Sequence, residues 1–289
     1  MWWCRGSLRH DVYLLYCICG VGLCASPSAC FGSRGQLLGG ARAAALGGVG
    51  VVGVGSSPLR IAAPITEGLI LEVSWANPYG ISGLELGSLS VRQSWRSVSS
   101  AASIQVLETP TPYSELQLAG NASIEAANGI VLGAGAALAS LRDGAGSFAQ
   151  EWSAAFGAAL TGFSGLELGC VVETPLGQEP PAGMAAASSA GGSFRWGFSL
   201  PAARGVSFLV EEERAGGWIS RKLGGEVAWL DVIRLRAGVS DSPFTLSFGI
   251  GIWKGRTALD LAAVEHETLG LTPHGSISYS SAAGKISAK

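Results

Sequence analysis

The sequence predicts an all-β protein: a single antiparallel transmembrane β-barrel of about fourteen strands, twelve at the lowest count, wound as an up-and-down meander. Three observations carry that expectation. Only 14% of the 289 residues are charged, against about 25% in a typical soluble domain, and the mean hydropathy is +0.36. Beyond residue 30, no run of about 18 apolar residues reads as a spanning helix. The apolar residues instead alternate with Ser, Gly and scattered charges in segments of about ten residues, separated by turn residues. In lipid, only helices and closed barrels satisfy every backbone N–H and C=O. With spanning helices missing, the barrel remains.

Taken in order, residues 1–29 read as a secretory signal peptide. Arg5, Arg9 and His10 precede an apolar run from Val12 to Cys24, and the small residues Ala25-Ser26-Pro27-Ser28-Ala29 follow. A buried N-terminal helix or an uncleaved anchor is the plainer alternative. Five of the six cysteines fall at Cys4, Cys17, Cys19, Cys24 and Cys30, so a cleaved chain has no disulfide framework. Residues 30–66 form a Gly/Ala-rich segment, a candidate occupant of the barrel lumen. The barrel itself is assigned to 67–281 and a C-terminal tail to 282–289.

Within the barrel region the expected strands are 67–77, 81–92, 98–109, 113–125, 128–142, 146–161 and 163–175. They continue as 191–201, 204–214, 216–231, 232–240, 244–254, 256–266 and 271–281. The clearest is Phe244, Leu246, Phe248, Ile250 and Ile252, interleaved with Thr245, Ser247, Gly249 and Gly251. Successive side chains of a strand point to opposite faces, so one face is greasy and the other small and polar. A soluble β-sandwich alternates too, and a secreted binding module of that kind is the rival reading from another class. Charges are too few to cover a water-facing exterior, however, and they fall on the small-residue face. Lipid against the apolar face and charges in the lumen is the lower-energy arrangement. By that facing, Phe248→Arg should block assembly and Ser247→Arg should be tolerated. Trp75, Trp152, Trp196, Trp218, Trp229 and Trp253 suit an aromatic girdle. Tight connections such as Gly216-Gly217, Asp241-Ser242-Pro243 and Lys254-Gly255 favour next-neighbour pairing. The longest connection, Pro175 to Gly191, falls on the outer side if the N-terminus is periplasmic, and is the expected docking place for any exported cargo.

Two patches carry a family resemblance. Gly40-Ala41-Arg42-Ala43-Ala44-Ala45-Leu46-Gly47-Gly48-Val49-Gly50 resembles the N-terminal glycine- and alanine-rich signature of the PorV/PorQ group of outer-membrane barrels, which belongs with FadL-type barrels. Ala258-Leu259-Asp260-Leu261-Ala262-Ala263, with Leu269 through Tyr279, resembles the closing hairpin of that group, and Leu235–Val239 and Phe248–Ile252 fit it. Ala62-Ala63-Pro64 departs from the Asn-Pro-Ala of the family. The resemblance implies a Gram-negative outer-membrane location and a role in protein export or surface attachment through type IX secretion. The partners it implies are outer-membrane lipid and secretion-system proteins or exported cargo. A FadL-like channel for hydrophobic small molecules is the alternative.

The residues give no sign of an enzyme. Gly48-Val49-Gly50-Val51-Val52-Gly53 matches G-x-G-x-x-G, with Glu72 near the expected acidic position, but no βαβ unit follows and no cofactor is expected. Glu265-His266-Glu267 and His274 are the remaining metal-like group; neighbours on a strand alternate faces and seldom converge, so no metal is assigned. A net charge of −2 provides no basic surface for nucleic acid. The lumen-facing candidates are Glu115, Glu151, Glu167, Glu173, Arg195, Glu211, Glu213, Arg234, Arg236 and Asp260. Such charges either set solute selectivity or pair with one another in a filled lumen.

Overall fold

Fourteen strands close into one antiparallel barrel in the computed structural model, which describes residues 40–53, 60–62, 67–110, 113–127, 129–142, 148–162, 165–176, 192–230 and 232–281. The first seven are β1 (Gly68–Ala76), β2 (Glu85–Trp95), β3 (Val98–Glu108), β4 (Ser114–Ala127), β5 (Ile130–Arg142), β6 (Phe148–Thr161) and β7 (Glu167–Pro175). The rest are β8 (Ser193–Ala203), β9 (Val206–Ala215), β10 (Trp218–Trp229), β11 (Ile233–Asp241), β12 (Phe244–Lys254), β13 (Thr257–His266) and β14 (Gly270–Ser280). Every strand pairs with its sequence neighbour, and β1 closes on β14 from Ile70↔Ser280 to Ala76↔His274. Closure leaves no sheet edge to satisfy, which is the condition for a sheet in lipid. Among the described residues no helix is long and apolar enough to cross a membrane.

The pleat sorts the side chains. On β12, Phe248 is 59% exposed while its neighbour Ser247 is fully buried. Leu71, Val73, Leu223, Leu261 and Ile277 are likewise exposed on the outer wall, whereas Glu211, Lys222, Arg236 and Asp260 are buried inside. An apolar exterior around a charged interior inverts a soluble protein and matches a transmembrane barrel. This excludes the soluble sandwich.

The two ends differ. At one end, two-residue turns such as Arg96-Ser97, Arg204-Gly205 and Gly255-Arg256 join the strands. The opposite end carries the 77–84 and 176–192 connections. Transmembrane barrels keep short turns on the periplasmic side and longer loops outside, so the second end is the outer one. Most of the 175–191 stretch, with the docking role expected of it, lies outside the described residues, as do residues 1–29 and 282–289.

Two tryptophans correct the girdle reading. Trp75, Trp152 and Trp229 are at least half exposed on the outer wall. Trp253 and Trp218, however, fall on the inward parity of β12 and β10, and the Arg234 guanidinium lies 5.7 Å from the Trp253 ring centroid. Both stand at strand ends, where a large ring fits inside as readily as outside.

Candidate functional site

The lumen is occupied by the chain's own N-terminal segment. A six-residue helix, α1 (Gly40–Ala45), and the stretch to residue 53 lie inside the wall, together with 60–62. Helix propensity explains α1: the run is alanine-rich and has Gly at its start. Its alanines pack on Ala262 and Val264 of β13. Leu46, Val49, Val51, Val52 and Ile61 then form an apolar cluster with Ala155, Val171 and Leu209 of the wall. We call residues 40–53 and 60–62 the plug.

Glycines make the seat. A Cβ on Gly133 would run into the Ile61 carbonyl, one on Gly224 into the Leu46 carbonyl, and one on Gly249 into the Ala45 side chain. Gly169 and Gly238 face Val51 and Gly47 in the same way. These glycines therefore let backbone approach backbone where a side chain would hold it off.

Polar groups then latch the seated segment. The Glu211 Oε2 accepts the N–H groups of Gly50 at 2.7 Å and Val51 at 2.8 Å, while its Oε1 takes Lys222 Nζ at 3.1 Å. Lys222 also donates to Glu213 at 2.9 Å. The glycine run that matches a phosphate loop thus cradles a carboxylate from the barrel wall, through the same aimed backbone donors. Glu167 accepts the Gly53 N–H at 3.2 Å and pairs with Arg60. Arg42 forks onto Glu226 at 3.0 and 3.1 Å; Glu226 also holds Arg236, which pairs in turn with Asp260. Ser247 Oγ accepts the Gly47 N–H and donates to the Ala45 carbonyl, each at 3.0 Å. Satisfying the plug's backbone groups removes the main cost of burying a loop.

Five of the ten sequence candidates fall in this arrangement. Glu167, Glu211, Arg236 and Asp260 belong to the latch, and Glu213 backs it through Lys222. Arg195 is buried and pairs with Glu173 at 3.4 Å, with Ser153 donating to the same carboxylate. Arg234 is taken up by Trp253. Glu115 and Glu151 are half-buried on the inward parity of β4 and β6, near the outer end. Sequence reasoning missed Arg42, Arg60, Arg92, Lys222 and Glu226. Lys222 and Glu226 share the parity of Ser220 and Gly224, so alternation along β10 could have found them. Arg42 and Arg60 precede the first strand, and no periodicity points to their partners. Ser247 faces the lumen, as the alternation predicts, but the plug fills the space an arginine needs, so Ser247→Arg bears on the plug as well as on the barrel.

Above α1, at the outer end, a cavity of about 310 Å³ remains. Ala44, Pro78, Leu84, Leu107 and Val264 provide apolar walls, and Tyr79, Thr245, His266, Thr272 and His274 the polar groups. The 77–84 connection contributes Pro78, Tyr79 and Leu84 to its lining. Asn77 donates its side-chain amide to the Ile81 and Leu84 carbonyls, both at 2.9 Å, and its backbone N–H to Pro273 O at 3.2 Å. Tyr79 holds a left-handed backbone, φ 59°, with its N–H on Thr272 Oγ1 at 2.8 Å and its ring edge-on to His266 at 5.0 Å. A non-glycine residue in that region costs about 1–3 kcal/mol and persists where surrounding contacts over-determine it. The two histidines set aside from the sequence thus meet at one cavity. Among the described residues, no group of three His, Cys, Asp or Glu side chains is placed to hold a metal.

These features define a class: a plugged, fourteen-stranded transmembrane barrel of the outer-membrane type, and the chain belongs in an outer membrane. No protein-family model and no curated protein sequence matches it. Solved structures do. The chain is similar to the TodX deltaS2S3 mutant monoaromatic hydrocarbon channel, with a TM-score of 0.60 and 13% identity over 83% of this chain and 98% of that one. The CymD monoaromatic hydrocarbon channel gives 0.59 and 12% over 86% and 97%. The P. putida toluene transporter TodX gives 0.56 and 12% over 84% and 98%. What is shared is the fold, a closed outer-membrane channel barrel; nothing in these likenesses points to PorV/PorQ in particular.

Proposed function

We propose that the protein is an outer-membrane channel for small hydrophobic molecules, with the plug closing the water path. The observation that carries this reading is the combination of residues 40–53 and 60–62 seated in the lumen and a largely apolar cavity left open above them. An open porin lumen is a wide aqueous passage lined by charge, whereas here Glu167, Glu173, Arg195, Glu211, Glu213, Lys222, Glu226, Arg236 and Asp260 are engaged with the plug or with each other. Barrels of the same fold named as hydrocarbon channels support the reading. Protein export, implied by the sequence resemblance, has no comparable structural feature behind it.

The test is paired uptake. Cells of a Gram-negative host expressing the chain should take up an aromatic hydrocarbon faster than control cells. Liposomes carrying the purified protein should not swell in sugar solution as porin liposomes do. Porin-like swelling, or hydrocarbon uptake no faster than in control cells, overturns the proposal.

A further inference from the structure

The outer wall carries a polar feature at its periplasmic end. Lys254 closes β12, Gly255-Arg256 make the turn, and Thr257 opens β13. Pairing sets Lys254 against Thr257, and Thr257 against Tyr279 of β14, so the three side chains form one outward row. Lys254, Arg256 and Thr257 are exposed, and Tyr279 is 39% exposed. Gly255, with φ 64°, lets the chain reverse within two residues, which keeps the two cations in one turn. Arg256 donates Nη1 to the Tyr279 hydroxyl at 3.5 Å, and neither cation has an ion-pair partner among the described residues. Two strand spacings of roughly 4.8 Å separate Lys254 from Tyr279, so an anion held over Thr257 is within reach of both long side chains. One pleat position deeper, the next outward row on the same strands is Ile252, Leu259 and Ile277, all exposed. A band of cations and hydroxyls therefore borders a band of lipid-facing hydrocarbon. The exposed carboxylates described at this end stand elsewhere: Glu67 accepts the Arg96 N–H, and Glu125 is on β4. At the outer ends of β11 and β13 the exposed charges are acidic, Asp241 and Glu265.

We infer that this row is a binding site for the headgroup of an anionic glycerophospholipid, of the phosphatidylglycerol type, in the periplasmic leaflet. The phosphate lies between Lys254 Nζ and the Arg256 guanidinium, above the Thr257 hydroxyl, and the acyl chains run along Ile252, Leu259 and Ile277. Tyr279 positions Arg256. Lysine and arginine are the side chains that bind phosphate, and cations beside a membrane surface attract its anionic lipids. A zwitterionic phospholipid offers the same phosphate but brings its own ammonium, which two unpaired cations repel. Lipid A belongs to the opposite leaflet, where Asp241 and Glu265 stand. The bound lipid ties β12, β13 and β14 together beside the seam where Leu71 of β1 meets Tyr279. The site depends on the orientation of the barrel in the membrane and is independent of what the channel carries.

The probes are phosphatidylglycerol, phosphatidylcholine with the same acyl chains, and lipid A. Each is titrated into the full folded chain in a neutral detergent, and bound lipid is counted by native mass spectrometry. The wild type should hold phosphatidylglycerol at least about tenfold more tightly than phosphatidylcholine, since each cation beside an anionic headgroup contributes roughly a fivefold gain. The double variant Lys254→Gln, Arg256→Gln should lose that preference. Arg204→Gln removes an exposed cation from the β8–β9 turn at the same end of the barrel and should keep it. A heat-dependent shift in gel mobility verifies that each variant is a folded barrel. Lys254→Gln alone, with roughly a fivefold loss, takes the place of the double variant if that one does not assemble. Equal retention of the two phospholipids by the wild type overturns the inference. So does a preference that persists in the double variant, or one lost as fully in Arg204→Gln, which is the mark of diffuse charge and no site. Tighter binding of lipid A than of phosphatidylglycerol, lost in the double variant, gives the row to the other leaflet and overturns it too.

Discussion

Glu211 of β9 and Gly50 of the plug, 161 residues apart in sequence, meet through a 2.7 Å hydrogen bond from the glycine N–H to Oε2. The carboxylate is 1% exposed, and its second oxygen binds Lys222, so neither charge is left alone. Without Glu211, Lys222 keeps Glu213, but the Gly50 and Val51 N–H groups lose their acceptor, at about 1–3 kcal/mol for each group left unsatisfied. Glu211→Ala should therefore release the plug while the barrel stays closed. Amide hydrogen exchange at Gly50 and Val51 should accelerate by at least two orders of magnitude, and conductance in planar bilayers should rise. Unchanged exchange at those two amides would show that the plug is held elsewhere.

Adjacent residues on β12 should fail in different ways. Phe248 faces lipid, where an arginine at mid-membrane costs about 2–4 kcal/mol, so Phe248→Arg should reduce the yield of folded barrel. Ser247→Arg should leave a heat-modifiable barrel but displace the plug, seen as protease cleavage within 40–62. The milder Ser247→Ala removes the partner of the Gly47 N–H and should loosen the plug by about 1–3 kcal/mol. Intact, protected plug in both Ser247 variants would contradict the seating described here.

Glycine position should matter more than glycine number. A Cβ on Gly224 would lie 2.7 Å from the Leu46 carbonyl oxygen, whereas one on Gly87 would meet nothing within 4 Å. Gly224→Ala should destabilise the seated plug by about 1–3 kcal/mol, the usual penalty of overpacking. Gly87→Ala should be close to neutral. Exchange rates across Leu46–Val52 in the two variants check this directly.

The two arginines on Glu226 rank a further pair of variants. Glu226→Gln weakens the hold on both Arg42 and Arg236, while Arg42→Met leaves Glu226 still paired with Arg236. Plug release, read as protease sensitivity of 40–62, should be greater for Glu226→Gln. The opposite order would mean that Arg42 contributes mainly through its own packing.

Much of the barrel was legible because it depends on a local, periodic signal. Alternation along Phe244–Ile252 determines which side chains face lipid. Turn residues such as Gly216-Gly217, both with positive φ, mark where strands reverse. Fourteen segments of the length needed to cross a bilayer leave little choice but a meander closed on itself. The ten charged candidates came from the same rule, which assigns a face to each residue.

A face is not a partner. That Glu211 belongs with Gly50, or Arg42 with Glu226, depends on where a segment with no strand period settles inside the closed wall. The same is true of Ser247, whose inward direction alternation predicts and whose bond to the plug it does not. His266 and His274, on the paired strands β13 and β14, share one cavity because the 77–84 connection brings Pro78, Tyr79 and Leu84 against them. The sequence by itself determined the barrel, its strand count to within two and its lipid face, because backbone hydrogen bonding in lipid admits so few solutions. The tertiary structure alone decided the plug, its latch and the cavity, because those contacts join residues up to 202 positions apart and leave no periodic trace in the chain.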